Sequence, residues 1–244
     1  MTMDRTYLLI PLFVFLGWTA NTNAQQTNAA DKRSAKNSET RQLSHFTAFN
    51  FYGAAKIYLV QGDEEKVIFK AKRKLDVSKI TTEIKQGKLY ITSKRPKLLF
   101  NPRLKIYIHF KKLELIEIEG KAKVYGQTLI QGKKLNLVIM GASRTYLDVK
   151  LNEFETHLMG AGGINIKGKA KYQKLVVDGA GAIRAANLEG MEVQAQLNGA
   201  GNILAHAVGS LKAGISGVGQ IRYRGNPVNT KFNTDGVGSI GPLE

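Results

Sequence analysis

The chain has 244 residues, no cysteine, and 36 Lys and Arg against 19 Asp and Glu, giving a formal net charge of +17. Without a thiol it can form no disulfide, hold no thiolate-bound metal and run no cysteine-nucleophile chemistry, and it offers no cysteine for a lipid anchor. A hydrophobic fraction of 43% is ordinary for a packed core, so the basic excess belongs to a folded surface, where it favours anionic partners without selecting one.

At the N-terminus Arg5 precedes an apolar run from Tyr7 to Ala20, followed by the small-residue stretch Asn21-Thr22-Asn23-Ala24. This is the layout of a secretory signal over residues 1–24. The run is broken by Pro11 and Gly17 and falls short of the ~20 residues needed to span a bilayer. The expected mature chain starts at Gln25, keeps no transmembrane anchor, and is a bacterial periplasmic or secreted protein. Residues 25–44, "QQTNAADKRSAKNSETRQLS", hold one leucine and no aromatic, and are expected to form a flexible leader.

From His45 the expected domain runs to residue 244. Its N-terminal part, 45–119, carries short apolar alternations, "AKIYLV", "KVIFKA", "KLYIT", "LKIYIHF" and "ELIEIE", separated by "QGDEE", "KQGK" and "KRPKLLFNP". Alternation at period 2 with Gly, Asp, Asn and Pro at the breaks predicts strands, and no helix of ordinary length is visible.

In 120–244 a glycine-led unit recurs: "GKAKV" at Gly120, "GASRT" at Gly141, "GAGGI" at Gly160, "GAGAI" at Gly179, "GAGNI" at Gly199, "GVGQI" at Gly217 and "GVGSI" at Gly236. The spacings are 21, 19, 19, 20, 18 and 19 residues. A period near twenty with β composition predicts an all-β parallel β-helix of about 19 residues per coil with an N-terminal β region. Two columns test it. Val124, Thr145, Ile164, Ile183, Ile203, Ile221 and Ile240 stand four residues after each first glycine, and Ile118, Ile139, Leu158, Val177, Leu197, Ile215 and Thr234 stand two before it. Both are apolar almost throughout, as inward-facing ladders should be. The glycine pairs Gly160 and Gly162, Gly179 and Gly181, Gly199 and Gly201, Gly217 and Gly219, and Gly236 and Gly238 then mark corners where a side chain would strike the neighbouring coil, or where φ is positive.

The repeated "GAG-[AGN]-I" coils, the opening "FTAFNFYGAAKIYLVQGDEEKVIFKA" and the closing "YRGNPVNTKFNTDGVGSI" resemble the head GIN domain family, described as heads of autotransporter adhesins. The resemblance runs from about Phe46 to Ile240 and implies a right-handed parallel β-helix, export from a bacterial cell and no established biochemical activity. It brings no catalytic residues.

The chemistry of the residues agrees with that absence. No serine sits in a G-x-S-x-G elbow, and His45, His109, His157 and His206 lack ligand spacing, so neither a metal nor a cofactor is expected. Gly236 to Gly241 spells G-x-G-x-x-G but does not pass from a strand into a helix. A polysaccharide lyase or glycoside hydrolase on the same scaffold is the alternative, because β-helices host both. It would need paired carboxyls. Asp178 and Asp235 stand three coils apart, about 14 Å, and Glu153 and Glu155 would share one face of an extended chain. Basic residues are commoner. Lys167, Lys169 and Lys171 alternate on one side, with Lys174 close in sequence and Lys123 and Lys150 on nearby coils, giving a candidate binding face. Its expected partner is an anionic polymer of the cell envelope or a protein surface. Nucleic acid fits less well, since export removes it and only Tyr172 is interleaved with these lysines. The sequence thus reads as an exported, non-catalytic, adhesin-like binding protein.

Overall fold

Each strand that follows a repeat glycine lies directly beside the equivalent strand of the repeat before it. This holds in a computed structural model of the protein that describes residues 37–71 and 76–243. Nine short strands come first: β1 (Ser38–Gln42), β2 (Ala48–Gly53), β3 (Lys56–Gln61), β4 (Lys66–Lys70), β5 (Ile80–Lys85), β6 (Lys88–Ser93), β7 (Lys105–Phe110), β8 (Leu115–Gly120) and β9 (Lys123–Gly126). The regular body follows: β10 (Ile130–Gly141), β11 (Arg144–Leu158), β12 (Gly163–Val177), β13 (Ala180–Leu197), β14 (Ala200–Ile215), β15 (Val218–Arg224), β16 (Asn229–Thr234) and β17 (Val237–Pro242). From β8 onward neighbouring coils pair in parallel, and the architecture is a β-solenoid.

Three stretches make up a coil. A first face ends at the glycine, a second face follows it, and a return segment leads to the first face of the next coil. The two apolar columns pair residue for residue along the stack. From Val124 to Ile221 the second-face column is fully buried, including Thr145. Burying an Ile or Val side chain is worth roughly 1.5–3 kcal/mol, so these ladders are the main source of stability. Thr234 is exposed and Ile240 half-buried, because among the described residues no later coil covers them.

The glycines are demanded by close approach between coils. A β-carbon on Gly160 would stand 2.1 Å from the Gly141 carbonyl oxygen, and one on Gly199 would stand 2.0 Å from that of Gly179. The second glycine of each pair meets the same obstacle. Its added carbon would lie 2.5 Å from Ser143 O at Gly162, 1.9 Å from Gly181 O at Gly201, 1.8 Å from Gly201 O at Gly219 and 2.0 Å from Gly219 O at Gly238. Positive φ, the other expected ground for these pairs, is met only at Gly219, with 145°. At Gly162, Gly238 and the remaining paired glycines the expectation is corrected, since lack of space alone excludes a side chain there. Where the second glycine is replaced by Ser143, its hydroxyl donates to Gly120 O at 3.1 Å and accepts from the Ala122 amide at 3.0 Å. The 20- and 18-residue spacings are absorbed by bulges between Arg184 and Glu192, which leave the corners in register.

The N-terminal region both continues the stack and closes it. β2 pairs in parallel with β6 on one side and β8 on the other, and β3 lies likewise between β7 and β9. The coil made by β6 and β7 therefore sits outside the coil made by β2 and β3, although it comes later in the chain. Gly53 is the register partner of Gly120, so the glycine column starts one coil earlier than the regular spacing shows. Antiparallel strands cover the outer edge: β5 on β6, β4 on β7 and β1 on β4.

β1 corrects one expectation. Ser38–Gln42, read as part of a flexible leader, is a strand. It pairs along the free edge of β4, and Arg41 lies over the Phe69 ring at 5.0 Å while donating to Val77 O at 3.3 Å. Composition could not show this, since the strand is held by backbone pairing and one arginine rather than by apolar burial. The signal at 1–24 and the leader as far as residue 36 lie outside the described residues.

Candidate functional site

The second face carries a feature that spacing alone did not expose. Lys105-Ile106-Tyr107, Lys56-Ile57-Tyr58, Lys123-Val124-Tyr125 and Arg144-Thr145-Tyr146 lie side by side in four successive coils. The middle residue of each triplet is fully buried. Strand alternation then turns its neighbours outward, making one row of cations and one row of tyrosines. The rings stack: centroids are 4.6 Å apart for Tyr58 and Tyr107, 5.5 Å for Tyr58 and Tyr125, and 5.4 Å for Tyr125 and Tyr146. Such pairs contribute about 0.5–1.5 kcal/mol each beyond area burial. At the capped end Lys70 Nζ lies 5.1 Å from the Tyr107 centroid.

Beyond Tyr146 both rows change character. The cation row continues as Gly163, Ala182, Asn202 and Gln220, and the tyrosine row as Asn165, Arg184, Leu204 and Arg222. No carboxylate occurs in either row from Lys105 to Arg222. Among the described residues Lys56, Lys105, Lys123, Arg144 and Arg184 form no ion pair. The polar outward groups here can all donate: ammonium, guanidinium, phenol and amide.

The family model described as "Putative auto-transporter adhesin, head GIN domain" matches residues 45–227. The chain belongs to this family. Among solved structures it is similar to one described as a putative adhesin from Bacteroides fragilis, at 23% identity and a TM-score of 0.76, covering 84% of this chain and 96% of that one. A second, described as a putative lipid binding protein from Parabacteroides distasonis, gives 21% identity and a TM-score of 0.63 over 86% and 98% of the two chains. A third, described as a putative adhesin from Parabacteroides merdae, gives 17% and 0.60 over 85% and 95%. At these identities the likeness is one of fold. No curated protein matches the chain.

In this head GIN domain the six candidate lysines are all exposed, but the fold distributes them over three surfaces. Lys150 and Lys169 are register partners on the return segment, close to Lys171. Partners occupy several of these cations: Lys167 meets Asp148 at 3.4 Å, Lys169 meets Glu189 at 3.1 Å, and Lys171 lies over the Tyr172 ring at 5.0 Å. Lys174 stands on the first face beside Glu155 and Gln194, and Lys123 belongs to the second face.

The first face of the head GIN domain gathers the carboxylates. Glu153 and Glu155 both reach Lys134 Nζ, at 2.8 and 3.5 Å. The hydrogen bond from Lys134 holds the Glu153 carboxyl below its usual range, the opposite of what a general acid needs. Asp178 accepts from Asn198 at 2.6 Å and contacts His157, and Asn198 and Ser216 lie between its coil and that of Asp235. No group of three or more potential metal ligands occurs among the described residues.

Proposed function

We propose that this head GIN domain is exported and works without catalysis, holding an anionic polymer of the cell envelope along its second face. The observation that carries the reading is the row of cations without carboxylate partners, set beside the tyrosine ladder. A polyanion meets donors coil after coil, about 4.8 Å apart, and the carboxylate beside the tyrosine row, Asp148, is paired with Lys167. Family membership suggests an extracellular or envelope location, and no helix among the described residues is long and apolar enough to cross a membrane. The engagement of Glu153 and Glu155 with Lys134 weighs against a lyase or hydrolase.

The test is capture of the protein on immobilised dextran sulfate and polygalacturonate at low and at several-hundred-millimolar salt. Capture should fall with salt, because exposed charges are screened over about 8–10 Å at physiological ionic strength. A cation facing a densely anionic surface is worth on the order of 1 kcal/mol, so Lys56→Gln, Lys105→Gln and Lys123→Gln together should weaken capture roughly 100-fold. Lys167→Gln with Lys169→Gln should change it little, since both are already paired. Equal losses from the two sets, or capture insensitive to salt, would refute the second-face reading.

A further inference from the structure

The tyrosine ladder ends asymmetrically. One outer ring, Tyr107, is closed by the Lys70 ammonium, whereas at the other end Tyr146 has Tyr125 on one side at 5.4 Å and 6° and the short Asn165 as its neighbour on the other. Tyr146 is 40% exposed. Next to it the cation row drops from Arg144 to Gly163, a buried position with no side chain, and Arg144, Tyr146, Gly163, Asn165 and Arg184 line one shallow notch in the surface. Arg184, from the coil beyond, reaches back over this notch, its Nη1 lying 3.6 Å from where a Gly163 β-carbon would stand. Arg144 is the register partner of Gly163, so the notch has a guanidinium on either side.

We infer that this notch is a subsite for one carboxylate-bearing sugar ring. The apolar C–H face of the sugar lies on the open face of Tyr146, the carboxylate is held by Arg144 and Arg184, and the Asn165 amide meets a ring hydroxyl. Each element matches a chemical need. A planar guanidinium recognises a carboxylate through two parallel N–H groups, and Arg144 and Arg184 have no carboxylate partner to displace. An amide supplies both a donor and an acceptor for a hydroxyl. The remainder of the second face offers cations and ring edges but no open ring face, so it attracts polyanions generally, while the notch adds selectivity for the sugar. This inference rests on the proposed function, since it names a subsite within the same face.

The experiment is calorimetric titration of the purified chain with a short oligogalacturonate, its methyl ester and dextran sulfate, for wild type, Arg184→Gln and Tyr146→Ala. Arg184→Gln should weaken oligogalacturonate binding about tenfold and dextran sulfate binding less than about threefold, because one bidentate partner is lost from the notch and only one charge from the face. Tyr146→Ala should likewise weaken the sugar selectively, with its circular dichroism spectrum matching wild type, and the methyl ester should bind no better to wild type than to Arg184→Gln. Equal weakening of both polyanions by Arg184→Gln would overturn the subsite but leave the wider face standing, as would undiminished binding of the methyl ester. Binding of dextran sulfate without oligogalacturonate would overturn the subsite alone, and failure of both to bind the wild type would remove both readings. Where Tyr146→Ala does not fold, Arg184→Gln alone decides.

Discussion

A single methyl group at Gly199 would stand 2.0 Å from the Gly179 carbonyl oxygen, closer than any real carbon approaches. The next coil must then shift, and because both coils are paired along their length the shift cannot stay local. Gly199→Ala should cost about 3 kcal/mol, the upper end of the overpacking range, in chemical denaturation. Gly62 is the control: nothing lies within 4 Å of its added carbon, and Gly62→Ala should change stability by less than about 0.5 kcal/mol. Thr145 offers the opposite case. It occupies a ladder of isoleucines and valine, and its buried hydroxyl has no partner. Thr145→Val keeps the shape and removes the unsatisfied group, so it should stabilise the protein by about 1 kcal/mol, read from the denaturation midpoint.

Among the elements, the network on the first face gives a pH-dependent contribution. The Asn198 amide, and after it His157, hold the Asp178 carboxyl below its ordinary 3.8. The unfolded chain therefore takes up the proton first as pH falls. The contribution is present above about pH 3.8 and is lost as pH drops through the lower folded value. Asp178→Asn should be less stable than wild type near neutrality, with the gap closing in acid, when unfolding is followed across pH. The elements also show how far the sequence could be read. The glycine corners and both inward columns from Gly120 onward were legible, because the spacing is nearly constant and each column carries one residue class. The tyrosine ladder was not, although lysine or arginine, a β-branched residue and tyrosine recur four times. Two of those triplets come from β3 and β7, whose adjacency depends on a coil order that spacing does not reveal. Alternation grouped Lys167, Lys169 and Lys171 on one side of an extended chain. It could not foretell their pairing, because Asp148 and Glu189 come from neighbouring coils.

For the whole molecule, the two ends of the stack are unlike. β1, β4 and β5 cover one end with antiparallel pairing, whereas among the described residues β16 and β17 present their outer edges, with Val228, Phe232 and Val237 exposed. Deleting residues up to Gln42 would strip the polar β1 from β4 and make the more apolar Lys66–Lys70 the edge strand. The shortened chain should keep its β-rich circular dichroism but scatter more light than the full chain at equal concentration, because an unpaired strand templates association.

The placement of β2 between β6 and β8 also gives assembly a direction in time. From β10 onward each coil closes a loop of about 19 residues onto an edge already present, a local step with little entropic cost. Seating β2 against β8 instead joins residues as far apart as Asn50 and Glu117, and it cannot finish until the chain has been made to that point. The slow event in folding is therefore expected in the segment ending at Gly126, with later coils zipping onto it one after another. A fragment that begins at β10 would hold six of the seven glycine-led repeats and still lack the edge on which the first of them is laid.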